Sequence, residues 1–367
     1  MPPYTHGGDV LTARARFGGD VLDCSANLNP LGMPPAVQAA AAAAAADSAR
    51  YPDPLCRALR AAIAAYDGVA PEQVLCGGGA AELIFRLAYA LRPRRALVTA
   101  PAFSEYEEAL TAAGCAVTRH PLRRENRFDV DGGLLDAIAP GVELVFLCTP
   151  NNPTGVVYSA DTLTRMAAIL TEKSAQYGHN IFLVSDEPYR DIVFDGKTVP
   201  YPAAFYPHTL TCFSYSKSLS LPGERLGYVA VRPGCEGEDI LVDMMSQISR
   251  FTGHNCPPSI IQRAVSRCQK VTSDLSVYQT NMELLHQKLT ALGFEVERPG
   301  GTFYIFPKAL EEDANAFCQK AREFDLLLVP SDSFGVKGYV RLAYCIDTEK
   351  VKRSLPAFEK LAAAYRK

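Results

Sequence analysis

The sequence predicts an α/β fold: a mostly parallel sheet with helices on both faces, three layers in all, joined to a smaller α+β unit. Three observations predict it. Short apolar runs end in small or polar residues and lead into helical patterns, again and again along the first two thirds of the chain. Those runs are apolar along their whole length, as strands buried on both faces are. Past about Gly253 the alternation gives way to a long helical stretch and short strands, which sets the second unit apart.

In chain order, Pro34-Pro35 opens a stretch dominated by the run Ala39 to Ala46. Alanine has the highest helix propensity and proline is tolerated in a first turn, so this is a packing helix. Gln73 to Cys76 leads through Gly77-Gly78-Gly79 into a helix from Ala80 to Leu91, and Ala96 to Thr99 leads through Pro101 into a helix from Ser104 to Ala113. Glu143 to Cys148 ends at Thr149-Pro150-Asn151-Asn152-Pro153. Ile181 to Val184 ends at Ser185-Asp186-Glu187-Pro188, and Thr209 to Phe213 ends at Ser214-Tyr215-Ser216-Lys217. The second unit reads as a helical stretch from Pro258 to Leu292, strands within Phe294 to Phe306 around Gly300-Gly301, and a helix from Asp313 to Phe324. Strands at Leu326 to Val329 and Tyr339 to Tyr344 and a last helix to Tyr365 complete it. Residues 36–255 are the large domain, and residues 1–35 with 256–367 form the smaller one, so the boundary is discontinuous.

Composition bounds the function. The chain has 367 residues, 48% hydrophobic and 21% charged, with formal net charge −3. That near balance lacks the basic field a nucleic-acid binder needs, and anionic ligands require local arginines. Met1 to Asp9 has neither the basic start nor the apolar stretch of a signal peptide, and no segment is apolar enough to span a membrane, so a cytoplasmic protein is expected. The 11 cysteines are scattered and never form a C-x-x-C pair, which suggests neither a disulfide framework nor a metal site.

In open α/β sheets, ligands bind beyond the carboxyl ends of the strands. The chemically distinctive residues sit there: glycines after one strand, Phe103 after the next, then Asn152, then Asp186 with Tyr189, then Lys217 with Arg225. Singly, each has an ordinary reading: Asn152 as a turn residue, Asp186 as a strand-end cap, Arg225 as a surface cation. Together they meet the demands of pyridoxal 5′-phosphate. Its aldehyde needs a lysine amine to form a Schiff base, for which Lys217 is placed. Its ring nitrogen needs a carboxylate to stay protonated, and Asp186 follows a buried strand. Tyr189 and Asn152 offer hydrogen bonds to the phenolic oxygen, and Phe103 a stacking face. Gly79, Ala80 and Ala81 open a helix with side chains too small to obstruct a phosphate, while Ser214, Ser216 and Arg225 complete its shell. Two other motif readings fail: Ser214-x-x-Lys217 is not followed by S-D-N or K-T-G, and Gly77-x-Gly79-x-x-Glu82 lacks the last glycine of a dinucleotide fingerprint.

Asp186-x-x-Tyr189, Ser214-x-Ser216-Lys217, Arg225 eight residues after the lysine, and the preceding Asn151-Asn152-Pro153-Thr154-Gly155 resemble the signature of class I/II aminotransferases, the fold type I pyridoxal-phosphate enzymes. The resemblance implies a homodimer with an active site at the subunit interface, acting on small-molecule amino acids and 2-oxo acids. Tyr51, within Arg50-Tyr51-Pro52-Asp53, would then reach the cofactor phosphate of the neighbouring subunit, and Arg341 would grip the substrate α-carboxylate. The opening His6-Gly7-Gly8 and Ser25-Ala26-Asn27-Leu28-Asn29-Pro30 are similar to threonine-phosphate decarboxylases of cobalamin synthesis, relatives of the histidinol-phosphate aminotransferases. By that likeness His6 and Asn27 would meet substrate, His6 at its phosphate. Leu328 to Gly335 instead resembles amino-acid aminotransferases, without the decarboxylase's further arginine. The expectation is an aminotransferase working through Lys217, with a threonine-phosphate decarboxylase-like lyase or a histidinol-phosphate aminotransferase as the alternatives.

Overall fold

The computed structural model describes residue 15, residues 22–25 and residues 27–366. Its strands in chain order are β1 (Leu22–Asp23), β2 (Val74–Gly77), β3 (Arg95–Ala100), β4 (Ala116–Pro121), β5 (Leu144–Cys148), β6 (Phe182–Asp186), β7 (Thr209–Ser214), β8 (Gly227–Val231), β9 (Tyr304–Ile305), β10 (Leu326–Leu327), β11 (Val329–Pro330) and β12 (Val340–Ala343). Seven of them form one sheet in the order β2-β8-β7-β6-β5-β3-β4. All its pairings are parallel except those of β8, which runs antiparallel to both β7 and β2.

The central strands β5, β7 and β8 are buried at every residue. Their unbroken apolar character follows from helices on both faces. On one face Ala80–Leu91 and Glu238–Phe251 pack with Leu83, Leu87 and Met245 against Val98, Phe146 and Val229. On the other, Ala160–Tyr177 presents Leu163, Met166 and Leu170 to Val145, Leu147 and Leu183. The alanine-rich helix, Pro35–Ala45, packs through Val37 against a cluster that includes Ile261 and Val265.

The structure differs from the sequence expectations at three places. It found five strands of the sheet, whereas β4 and β8 complete seven. Strand β4 is an edge strand and mostly exposed, so it lacks a continuous apolar run. The expected single helical stretch from Pro258 to Leu292 is two helices, Ser259–Val265 and Leu275–Ala291. Asp274 starts the second, accepting from the Ser276 N–H at 2.9 Å as an N-cap. Within Phe294 to Phe306 only Tyr304–Ile305 is a strand. The backbone before it turns instead against Gly155, whose carbonyl accepts from the Gly300 and Gly301 N–H groups at 2.9 and 3.1 Å.

A further core cluster packs Leu22 and Cys24 with Leu285, Phe317, Leu342 and Phe358, together with Tyr189, Ile192 and Phe194. Strand β1 pairs parallel with β10, bringing the early chain to the late one.

Candidate active site

The antiparallel β8 decides where the site's cations meet. Because β8 returns along β7, Gly227 lies opposite Ser214 on one side and Gly77 on the other. Arg225, two residues before β8, therefore arrives at the same sheet edge as Gly79 and the serines. The approach is close: a Cβ on Gly79 would stand 2.7 Å from Arg225 Nη2, and one on Gly227 would stand 2.5 Å from the Phe213 carbonyl. Gly79, at φ +95°, is the residue before the helix Ala80–Leu91, and Ala80 and Ala81 open that helix. Its free N–H groups, two hydroxyls and a guanidinium form an anion cradle. Arg225 Nη1 donates to Ser216 Oγ at 3.4 Å, and Ser216 Oγ lies 3.0 Å from Ser214 Oγ.

Lys217 lies in the turn of helix Tyr215–Ser218 that Ser214 caps. Its Nζ sits 5.4 Å from the centre of the Phe303 ring. Burial pushes the amine down to about 8, with Arg341 and Arg225 pressing in the same direction against the opposing pull of Cys345. A lysine so placed is a usable nucleophile and base near neutrality.

Asp186 ends β6 and is buried. Its Oδ2 accepts from the Tyr106 hydroxyl at 2.5 Å, while Oδ1 has no hydrogen-bond partner among the described residues. Burial raises its carboxyl to about 7, against the lowering effect of Tyr106. A buried carboxylate oxygen without a partner is costly unless a donor arrives.

Asn152, in the loop after β5, accepts from Arg341 Nη1 at 3.0 Å, and both are buried. The Arg341 guanidinium, on β12, lies 4.3 Å from the Tyr304 ring centre and 4.9 Å from that of Phe334. Tyr189 places its hydroxyl 3.1 Å from that of Tyr304, and Phe103 meets Tyr106 edge-on. Asn27 has a buried Oδ1 without a partner among the described residues. Tyr51 stands apart at 98% exposed. His6 lies outside the described residues.

Sequence reasoning missed Tyr106, Tyr304 and the pair Glu82–Arg86. Glu82 accepts from the Gly78 N–H and pairs with buried Arg86, which also donates to the His254 carbonyl at 3.1 Å. The signal for Tyr106 was its place one helical turn after Phe103. Nothing local marked Tyr304, which comes from the other unit.

These residues fit pyridoxal 5′-phosphate. The unpartnered Asp186 Oδ1 suits a pyridinium N–H, the cradle at Gly79 suits a phosphate, and the depressed Lys217 amine suits an aldehyde. Residues 19–358 match the family described as aminotransferase class I and II. The chain belongs to that family. It is 36% identical over 233 residues to threonine-phosphate decarboxylase of Salmonella typhimurium, covering 61% of each chain. It is 28% identical over 306 residues to aspartate/prephenate aminotransferase of Thermus thermophilus, covering 80% of this chain and 76% of that one. The crystal structure of an amino transferase from Eubacterium rectale, 36% identical, superposes with a TM-score of 0.89 over 97% of this chain and 94% of its own. The class I/II aminotransferase fold here is thus fold type I, and the cofactor is pyridoxal 5′-phosphate.

Proposed function

We propose that this class I/II family member is an aminotransferase that moves an amino group between an L-amino acid and a 2-oxo acid, with Lys217 as its catalytic residue. The observation that carries the reading is the bond between Arg341 and Asn152. Arg341 is the fork for the substrate α-carboxylate, since a guanidinium presents paired donors that match two carboxylate oxygens. Tied to Asn152, it holds that carboxylate in place and leaves the Cα–H bond for Lys217.

The bound cofactor supplies an aldehyde that condenses with amines and a ring that withdraws electrons from the substrate Cα. Asp186 Oδ1 would receive the ring N–H, Tyr189 and Asn152 would meet the phenolic oxygen, and Phe103 would cover a ring face. The Gly79-Ala80-Ala81 N–H groups, Ser214, Ser216 and Arg225 hold the phosphate, and Tyr51 of a second copy reaches the same group across a homodimer. Lys217 Nζ would serve as the base that takes the proton from the substrate Cα, with the bound cofactor supplying the electron sink. Asn27 and His6 meet the substrate's far end. Residues 36–255 form the cofactor domain, and residues 1–35 with 256–367 the smaller domain that carries Arg341.

A second reading, decarboxylation of a phosphorylated amino acid, is supported by the 36% identity to threonine-phosphate decarboxylase. There the bond from Cα to the carboxylate, rather than Cα–H, would be the one broken. The test is a half-reaction: loaded enzyme mixed with single amino acids and no acceptor releases one equivalent of oxo acid per site. Carbon dioxide in place of oxo acid contradicts the proposal.

A further inference from the structure

Tyr106 lies in the helix Glu105–Ala112 and is fully buried. Its ring stacks on Phe146 of β5, with centroids 4.8 Å apart and an interplanar angle of 12°. It meets Phe103 edge-on at 5.7 Å. The hydroxyl at the end of this clamped ring donates to Asp186 Oδ2 at 2.5 Å. That is the length of a strong O–H···O⁻ bond. One carboxylate oxygen is thereby fixed, and the other is left without a partner among the described residues.

The groups that face Asp186 leave Tyr106 as its lone strong donor among the described residues. Cys148 and Cys212, on the flanking strands, carry thiols that burial pushes up, so both are neutral near pH 7. Burial and the Asp186 charge raise the Tyr106 phenol as well, so it remains protonated and can only donate to the carboxylate. Against the desolvation that raises Asp186, the Tyr106 bond is the opposing influence.

We infer that Tyr106 is a positioning residue for the cofactor: its hydroxyl holds Asp186 Oδ2 so that Oδ1 is presented, ionised, to the pyridinium N–H. The same ring buttresses Phe103, so one side chain sets both the plate against the ring face and the anion at its edge. The inference rests on the Asp186 role proposed above.

Cofactor affinity of Tyr106→Phe, Asp186→Asn and the double variant, measured by equilibrium dialysis from pH 5 to 9 without turnover, tests it. Tyr106→Phe keeps the stacked ring and loses one oxygen. It should weaken retention about tenfold and move the pH midpoint of binding upward by about one unit, because a carboxylate without its donor is harder to ionise. Adding it to Asp186→Asn should cost nothing more. Wild-type affinity with an unmoved midpoint in Tyr106→Phe, while Asp186→Asn is weak, reduces Tyr106 to packing. Normal retention by Asp186→Asn overturns the Asp186 role and this inference together. Should Tyr106→Phe not fold, 3-fluorotyrosine at position 106 is a stronger donor and should move the midpoint down; an upward or absent shift overturns the inference.

Discussion

The Arg341 guanidinium donates to the Asn152 side-chain oxygen at 3.0 Å, joining β12 of the smaller unit to the loop that follows β5 of the large sheet. The two side chains are 189 residues apart in sequence. Arg341 is held face-on by Tyr304 and Phe334, so its fork is aimed before any ligand arrives.

Arg341→Ala should raise KM for amino acids by about 30- to 100-fold, as expected for loss of a charge-assisted fork, with a smaller fall in kcat. Arg341→Lys should recover little of it, because a point charge does not replace the fork. Asn152→Ala should raise KM less, by about tenfold. Initial-rate kinetics with a series of amino acids measures all three.

Gly79→Ala combines a side chain at φ +95° with a Cβ 2.7 Å from Arg225 Nη2. The guanidinium must move out of the phosphate cradle. The expected result is cofactor retention lowered by about 10- to 100-fold with the circular dichroism spectrum of the wild type.

Two titrations give opposite trends in the cofactor-free protein. The Lys217 amine is depressed to about 8, so between that value and its ordinary value of 10.5 the unfolded chain holds more protons. Stability contributed there rises with pH. Asp186 is raised from 3.8 to about 7, so between those values the native state holds more protons and stability falls as pH rises. Asp186→Asn should therefore raise the Tm of the cofactor-free protein at pH 8 by about 2–5 °C while weakening cofactor binding. Calorimetry with and without cofactor checks both halves.

Tyr51 is 98% exposed in the single chain, an unusual setting for a ring assigned to a cofactor. Leu55, Ile240, Met244 and Phe251 are also among the exposed large hydrophobic side chains of the described residues. If a second copy covers Tyr51, Tyr51→Phe lowers cofactor retention and leaves the circular dichroism melting of the cofactor-free chain unchanged. Unchanged retention in a dialysis assay removes Tyr51 from the site.

Much of the site was legible because the chain alternates strand and helix, which sends each strand end to one edge of the sheet. Gly79, Asp186 and Lys217 could be placed together on that rule alone. What was not legible came from elements that break it. Strand β8 itself was not read, and its antiparallel course is what carries Arg225 to Gly79, a neighbour that the motif spacing had already given it. Tyr106, in the first turn of helix Glu105–Ala112, meets Asp186 across a long stretch of sequence, and a buried tyrosine reads locally as core. Tyr304 and Phe334 reach Arg341 only through the packing of the smaller unit. The break at Asp274 was written locally, in Thr272-Ser273-Asp274, yet was outweighed by the helical pattern on either side.

The central claim, that this family member transaminates, is tested most directly by a panel of amino acids that includes O-phosphothreonine, assayed in parallel for oxo acid and for carbon dioxide. The account predicts stoichiometric oxo acid from at least one amino acid, lost in Lys217→Ala, and no carbon dioxide from O-phosphothreonine. Rapid carbon dioxide release from O-phosphothreonine, with no oxo acid from any member of the panel, would contradict it.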